Sequence, residues 1–98
     1  MATLIVSYPT TEGGTFDWDY YLSKHLQLAL SAWSEFGLES AENLSPAPGP
    51  QPLHNMAILR FSSQSNIDEA LASPKTAEVL ADVANFTNIA PVIFRADD

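Results

Sequence analysis

The sequence predicts an α+β fold of the ferredoxin-like type, in which an antiparallel four-stranded sheet carries its helices on one face in the order βαββαβ. One observation is a long amphipathic segment over residues 16–36, and a second is a shorter helical region over residues 65–85 that a proline divides in two. The third is a set of four segments with strand composition around them. A length of 98 residues predicts one domain, 1–98.

The first strand and the start of the long helix have clear local signals. Residues 3–8 form a β-branched apolar run that Pro9 closes. Asp17 is a candidate N-cap, because its short side chain can accept a hydrogen bond from a free backbone N–H. Phe16 before it can pack against Tyr21 one turn later as a hydrophobic staple.

The long helix has a histidine in the middle of its apolar side. At about 100° per residue, one stripe contains Trp18, Leu22, His25, Ala29, Ala32 and Phe36, with Tyr21, Leu26 and Trp33 beside it. The opposite side contains Tyr20, Lys24, Gln27, Ser31 and Glu35. We therefore expect His25 to be buried with the stripe, and Gly37 to end the helix.

The second and third strands are separated by a proline-rich connection. Leu38–Leu44 is short and polar, as expected of an edge strand, and residues 54–62 form a third strand. Prolines at positions 46, 48, 50 and 52 favour an extended connection between them.

The second helical region has two start signals. Ser65 and Asp68 match a capping box, and Ser73 before Pro74 indicates a new start, since proline is favoured at the first helical position. This second piece should end at Asn85, with an apolar side made of Ala77, Leu80, Val83 and Ala84. Residues 86–95 then predict a last strand, which Pro91 places at an edge or a bulge.

The strands are apolar on both alternating faces, although helices can cover only one. Met56 and Ile58, or Ile89 and Ile93, therefore need a cover that this short chain does not supply. A second copy of the chain is the simplest cover, so we expect a homodimer.

The charge composition excludes several classes of partner. Twelve acidic against four basic residues give a net charge of −8, and the four cations are scattered, which argues against nucleic acid and against an anionic membrane surface. The chain has no cysteine, hence neither a disulfide nor a thiolate metal site. Its first residues have neither the basic start nor the apolar length of a signal peptide, so the cytoplasm is the expected location.

Three stretches resemble the EthD family, the small proteins named for ethyl tert-butyl ether degradation. They are FDWDYYLSKHLQL, similar to the family's Tyr-Tyr-x-x-x-His helix, ALASPKTAEVLADVANFTN, similar to its Ser-Pro followed by Asp-Val and Phe-Thr, and the opening IVSYP strand. The resemblance implies a ferredoxin-like fold that dimerises through its sheets into a dimeric α/β barrel, with a cavity between sheet and helices. Relatives of that fold include cofactor-free monooxygenases, polyketide cyclases, decarboxylases and isomerases. Gln27 stands where the family commonly has proline, so the helix is expected to run straighter.

His25 is the strongest candidate for proton chemistry, because histidine titrates near neutrality and acts as an acid or base without a cofactor. Tyr21 is its i, i+4 neighbour, and Tyr8 at the end of the first strand can reach the same cavity. Asp82 can orient His25 if both face that cavity, or it can be a solvated charge. The structural alternative for His25 is a core histidine whose ring nitrogens are satisfied by a carbonyl or a tyrosine.

Large apolar residues are candidates for lining an apolar ligand site, or else they simply fill the core. Together with Tyr8 they are Trp18, Leu22, Trp33, Phe61 and Phe86. The two histidines lie on different elements without clustered carboxylates, so the sequence predicts no metal site, and no cofactor motif is present.

Two functions remain open. One is a cofactor-independent enzyme that acts on a small hydrophobic molecule, aromatic or carbonyl-bearing, with His25 moving a proton. The other is a non-catalytic binding or accessory homodimer of a degradation or oxidation pathway. A purely structural dimer is a third possibility.

Overall fold

The computed structural model describes residues 2–97 and has the predicted ferredoxin-like fold. Its four strands form one sheet in the order β2-β3-β1-β4, with every neighbouring pair antiparallel. They are β1 (Ala2–Pro9), β2 (Leu38–Leu44), β3 (Leu53–Phe61) and β4 (Val92–Asp97). β2 and β4 are therefore the edges, as the sequence predicts, and the helices cover one face of the sheet.

The long helix α1 spans residues 18–33 and starts and stops where the sequence predicts. Asp17 is its N-cap and accepts a hydrogen bond of 3.1 Å from the backbone N–H of Tyr20. The ring of Phe16 lies 5.3 Å from that of Tyr21, so the predicted staple is formed. A 3₁₀ turn, Ser34–Phe36, follows the helix, and Gly37 ends it in the left-handed conformation with φ of 78°, which glycine adopts at no steric cost.

Helix α1 contains a π-helical segment, Tyr21–His25, that changes which side chains are buried. A π segment takes up more residues per turn than an α-helix, so the residues before it are rotated relative to a constant 100° periodicity. Tyr21 and His25 are buried, whereas Leu22 is 42% exposed. The expectation that Leu22 belongs to the buried stripe is therefore wrong.

The second helical region consists of α2 (Gln64–Ala72) and α3 (Pro74–Asp82). The N-cap of α2 is Ser63, which accepts a hydrogen bond of 3.2 Å from the N–H of Asn66, so the predicted capping box at Ser65 is wrong. Ser73 caps α3 by accepting from the N–H of Lys75, and Pro74 is its first residue, as predicted.

The buried side of α3 differs from the predicted one. Thr76 and Val79 are buried and Val83 is partly buried, whereas Leu80 is 54% exposed. Ala77 and Ala84 are also exposed. The predicted side is wrong at Ala77, Leu80 and Ala84, because Thr76 occupies a core position: its hydroxyl donates to the carbonyl of Ala70 and accepts from Nε1 of Trp33 at 2.8 Å. The region ends at Asn85, as predicted, and its last three residues, Val83–Asn85, form a 3₁₀ turn.

The last strand is shorter than the predicted 86–95, because β4 begins only after Pro91. Proline has no N–H to donate to a strand partner. Phe86 and Ile89 are instead buried in the loop before it, and Thr87 forms an isolated bridge with Phe16. Ile89 is therefore not part of an uncovered sheet face.

The two faces of the sheet have different surroundings. The face towards the helices packs into the core through Ala2 and Leu4 of β1 and through Leu59 and Phe61 of β3. The opposite face has no cover from residues 2–97 and carries two apolar rows across the strands. One row contains Phe94, Ile5 and Ile58, and the other contains Val92, Ser7, Met56 and Leu44. Of the helices described, none has the length and apolarity required to cross a membrane.

Candidate functional site

A cavity of about 200 Å³ lies between the sheet and the helices. Most of its lining is apolar and comes from strands β1, β3 and β4, from all three helices, from the 3₁₀ turn after α3 and from the loop before β4: Leu4, Val6, Tyr8, Tyr21, His25, Leu26, Ala29, Trp33, Ala57, Leu59, Leu71, Thr76, Val79, Leu80, Val83, Pro91 and Ile93. Leu80 and Ile93 are 54% and 46% exposed. The cavity therefore opens to solvent between α3 and the edge strand β4.

His25 is the last residue of the π-helical segment and is only 5% exposed. Its ring lies between two aromatic neighbours: the ring centroid of Phe86 is 4.5 Å away and that of Tyr21 is 5.4 Å away, the latter stacked. These contacts restrict the imidazole, so its direction is set by the packing of the helix against the loop that contains Phe86.

Asp82 holds the imidazole at its Nδ1 atom. Oδ2 of Asp82 lies 3.0 Å from Nδ1 of His25, and Oδ1 accepts hydrogen bonds from the hydroxyl of Tyr20 at 2.7 Å and from Nδ2 of Asn85 at 2.9 Å. Partial burial tends to raise the pKa of Asp82, but the hydrogen bonds from Tyr20, Asn85 and His25 outweigh it and lower the pKa below its usual value. The carboxylate is therefore ionised at neutral pH and only accepts hydrogen bonds.

The tautomer of His25 follows from this contact. Burial lowers the pKa of His25, and the hydrogen bond and charge of Asp82 oppose that shift only in part, so the ring is neutral at pH 7. Because an ionised Asp82 cannot donate, Nδ1 carries the proton and Nε2 carries the free lone pair.

The Nε2 atom of His25 is the ring nitrogen without a hydrogen-bond partner in the part of the chain that the structure describes. Among the residues described, no fully buried side-chain nitrogen or oxygen lacks a hydrogen-bond partner. Nε2 makes no hydrogen bond to any of those residues, so it is reachable from the cavity that His25 lines. A neutral imidazole with an open Nε2 and a carboxylate on Nδ1 is equipped to take up and return a proton.

Two tyrosines line the same cavity as His25: Tyr21 is in contact with the imidazole, and Tyr8 is in contact with Tyr21. The ring centroids of Tyr8 and Tyr21 are 6.0 Å apart. Burial, with a smaller effect of Tyr21, raises the pKa of Tyr8 far above its usual value. Burial likewise raises the pKa of Tyr21 to about 12, against an opposing effect of the Asn55 amide. Both phenols are therefore neutral donors at pH 7, and the Tyr8 hydroxyl makes no hydrogen bond within residues 2–97.

The structure brings five of the nine candidate residues together. Tyr8, Tyr21, His25 and Trp33 line the cavity, and Asp82 contacts it through His25. The other four lie outside the lining: Trp18, Leu22, Phe61 and Phe86. Nε1 of Trp18 donates to the carbonyl of His54 at 2.8 Å, Phe61 is fully buried in the core beneath Trp33, and Phe86 packs behind the imidazole.

Sequence reasoning missed Tyr20 and Asn85, which both donate to Asp82. Tyr20 lies on the polar side of the α1 periodicity, and Asn85 has the sequence signature of a helix end. No local signal identifies either residue. Tyr20 contacts Asp82 only through the packing of α1 against the end of α3, and Asn85 donates to it from the 3₁₀ turn that follows α3. In the part of the chain that the structure describes, no three His, Asp or Glu side chains are placed to hold a metal ion.

Comparison with solved structures agrees with the resemblance to the EthD family. An EthD-like protein from Ralstonia eutropha superposes with a TM-score of 0.82 at 28% identity, over 98% of this chain and 89% of that protein. No model of a known protein family matches the chain, and no curated protein does. The chain is thus similar to EthD-like proteins in fold and in sequence.

Two more distant structures share the fold alone. A dimeric ferredoxin-like protein of unknown function from Jannaschia sp. has a TM-score of 0.72 at 15% identity, over 99% of this chain and 98% of that one. SnoaB from Streptomyces nogalater, a cofactor-independent oxygenase, has a TM-score of 0.70 at 11% identity, over 99% and 93%. The fold is therefore one that is found in a dimer and in an oxygenase that needs no cofactor.

Proposed function

We propose that this protein binds a small hydrophobic molecule in the cavity between sheet and helices and that His25 transfers a proton to or from it, without a cofactor. One observation carries the proposal: His25, held at Nδ1 by Asp82, lines a largely apolar cavity and has no partner among residues 2–97 at Nε2. A core histidine without a role in chemistry would have both nitrogens satisfied by protein groups.

The residues have distinct parts in this proposal. Nε2 of His25 removes a proton from the ligand, and Asp82 stabilises the imidazolium that forms. The neutral hydroxyl of Tyr8 donates to an oxygen of the ligand on which negative charge develops. The apolar lining keeps water from competing for these groups. The same fold occurs in a cofactor-independent oxygenase, so the fold is compatible with chemistry that needs no cofactor.

The working unit in this proposal is a homodimer. The two apolar rows on the open face of the sheet include three side chains that are more than half exposed, namely Leu44, Val92 and Phe94. Burying such a patch against a second copy stabilises both chains, since each Å² of apolar surface removed from water contributes about 25 cal/mol. The neighbour of the same fold from Jannaschia sp. is dimeric, which supports a dimer here.

Hydrogen exchange of a small ketone tests the proton transfer directly. Indan-2-one is uncharged and has benzylic hydrogens next to its carbonyl, and base-catalysed exchange in D₂O moves a proton from carbon to Nε2 and returns a deuteron to the same carbon. We expect the wild-type protein to accelerate exchange and His25→Gln to lose about 10²-fold of that acceleration. Gln27→Ala, on the exposed side of α1, is the matched control and should exchange like wild type.

Binding measured on the same samples separates the two functions. If indan-2-one binds and His25→Gln exchanges as fast as wild type, His25 is not the base. If the ketone binds and no sample accelerates exchange, the protein is the non-catalytic binding or accessory dimer. If ketone binding cannot be detected, this ligand does not occupy the cavity.

A further inference from the structure

The cavity has a polar end and an apolar end. Along α1 its lining contains Tyr21, His25, Ala29 and Trp33, which are successive turns over roughly 18 Å at 1.5 Å per residue. At one end the ring of Tyr21 is in contact with those of both Tyr8 and His25, and the ring of Phe86 is likewise in contact with both. At the other end Leu4, Trp33 and Leu59 belong to the main core cluster. The polar side-chain groups of the described residues that line this end are on Trp33 and Thr76, and they bond to each other.

The size of the cavity limits the ligand to one ring with a short substituent. A protein cavity of roughly 150 Å³ lined by apolar side chains holds one benzene. The present cavity, at about 200 Å³, is about a third larger. Because the lining follows α1 from Tyr21 to Trp33, a substituent that fills the additional volume should lie opposite the polar group of the ring.

The charges around the cavity favour an uncharged ligand. Its lining includes neither Lys nor Arg, and His25 is neutral at pH 7 because burial lowers its pKa. A carboxylate that entered would lose its hydration without gaining a counter-charge, which is costly in an apolar site. A cation would find no carboxylate in the lining. Asp82, the carboxylate bonded to His25, is not a lining residue, and both of its oxygens already accept hydrogen bonds from His25, Tyr20 and Asn85.

The polar end is complementary to a hydroxyl group rather than to a carbonyl alone. Nε2 of His25 accepts a hydrogen bond, and the hydroxyl of Tyr8 donates one. A hydroxyl on the ligand satisfies both, because it donates to Nε2 and accepts from Tyr8. A carbonyl or an ether oxygen accepts from Tyr8 and leaves Nε2 without a donor.

We propose that the ligand of this site is an uncharged phenol with a short apolar substituent opposite its hydroxyl, bound with the hydroxyl between Nε2 of His25 and the Tyr8 hydroxyl and with the substituent towards Trp33. The inference rests on the proposed function in using the same cavity. It goes further in naming the class of ligand and its orientation.

Three ligands of similar length test the class on the wild-type protein. They are 4-propylphenol, 4-propylanisole, which cannot donate a hydrogen bond, and 4-propylbenzoate, which is an anion at pH 7. Calorimetric titration should rank 4-propylphenol about tenfold tighter than 4-propylanisole, which is the effect of one hydrogen bond. The benzoate should bind at least about 100-fold more weakly than the phenol, because its charge is unpaired in the cavity.

Two further measurements test the orientation. Tyr8→Phe should weaken binding of the phenol, whereas Gln27→Ala, on the exposed side of α1, should not. The NMR signals of the His25 ring should shift on addition of 4-propylphenol in the wild-type protein, and the indole signal of Trp33 should shift only when the propyl group is present, not with phenol itself.

The outcomes of these measurements distinguish the phenol class from the proposed function on which it rests, the binding of a small molecule in the cavity. If 4-propylanisole or 4-propylbenzoate binds as tightly as the phenol and shifts the His25 ring, the phenol class is overturned while ligand binding in the cavity stands. If none of the three shifts the His25 ring, the phenol class is overturned and the proposed binding function loses its support as well.

Discussion

Tyr20 donates a hydrogen bond of 2.7 Å to Oδ1 of Asp82, the same carboxylate that holds the imidazole of His25 through Oδ2. The two residues are 62 positions apart and join the start of α1 to the end of α3. A tyrosine on the outer side of the helix thus takes part in setting the electrostatics of a histidine that faces inwards. The contact connects the two helical elements that border one side of the cavity.

Replacement of Tyr20 by phenylalanine should raise the pKa of His25. The hydrogen bond from Tyr20 lowers the pKa of Asp82 and spreads part of its negative charge. Without it, the carboxylate interacts more strongly with an imidazolium and favours the charged ring. The ring of phenylalanine keeps the stacking on Phe86. NMR titration of the His25 ring measures the effect, with Gln27→Ala as a control, and an unchanged or lowered pKa would show that Tyr20 does not act through Asp82.

Stability measurements should distinguish Ile67 from Leu22. Ile67 on α2 is fully buried, and Ile67→Ala should lower the free energy of unfolding by about 2 to 5 kcal/mol through the cavity it leaves. Leu22→Ala should cost about 1 kcal/mol or less, because that side chain is 42% exposed. Urea denaturation of both variants provides the comparison. Equal losses would mean that Leu22 is packed in solution and that the π-helical segment is not as described.

The contrast between these residues indicates what the sequence can predict. Capping residues are local signals, so Asp17, Ser73 and Gly37 were all identified correctly as helix ends. The succession of strands and helices along the chain follows from hydrophobic periodicity and from the positions of prolines. Neither kind of signal predicts the π-helical segment, which depends on how α1 packs on the sheet. A constant helical periodicity therefore places Leu22 on the wrong side of α1.

The candidate site was predictable only in part. His25 and Tyr21 lie on the apolar side at either periodicity, so their burial was expected. Whether Asp82 contacts His25 depends on the relative position of α1 and α3, which no local pattern determines. The same holds for Tyr20 and Asn85, whose partners are set by that packing, and for the mouth of the cavity at Leu80 and Ile93.

A charge on the open face of the sheet should prevent dimerisation. Phe94 is 59% exposed and lies in the row with Ile5 and Ile58. Wild type should sediment at roughly twice the 10.7 kDa mass of one chain, and Phe94→Glu should sediment as a monomer. Leu22→Gln is the matched control, since it also replaces an exposed apolar residue but on the helical side. A wild-type monomer at micromolar concentration would refute the dimer.

The pH dependence of stability should contain a contribution from His25 with a defined sign. Burial lowers the pKa of this residue in the folded protein below the value of 6.5 that it has when unfolded. Between these two pKa values the unfolded chain binds more protons, so the free energy of unfolding rises with pH. The contribution is fully present above pH 6.5 and is lost as the pH falls through the folded-state pKa.

The difference between wild type and His25→Gln isolates this contribution, because acidification also reduces the repulsion within a chain of net charge −8 and affects both proteins equally. Thermal or urea unfolding from pH 8 to pH 4.5 should show wild type losing stability relative to the variant below pH 6.5. The lowered pKa of Asp82 acts in the same direction, but only as the pH falls below about 3.8, so it lies outside this range. If the difference between the two proteins is constant across the range, or if wild type gains relative stability on acidification, the His25 ring is not held neutral by burial and cannot serve as a base in an apolar cavity.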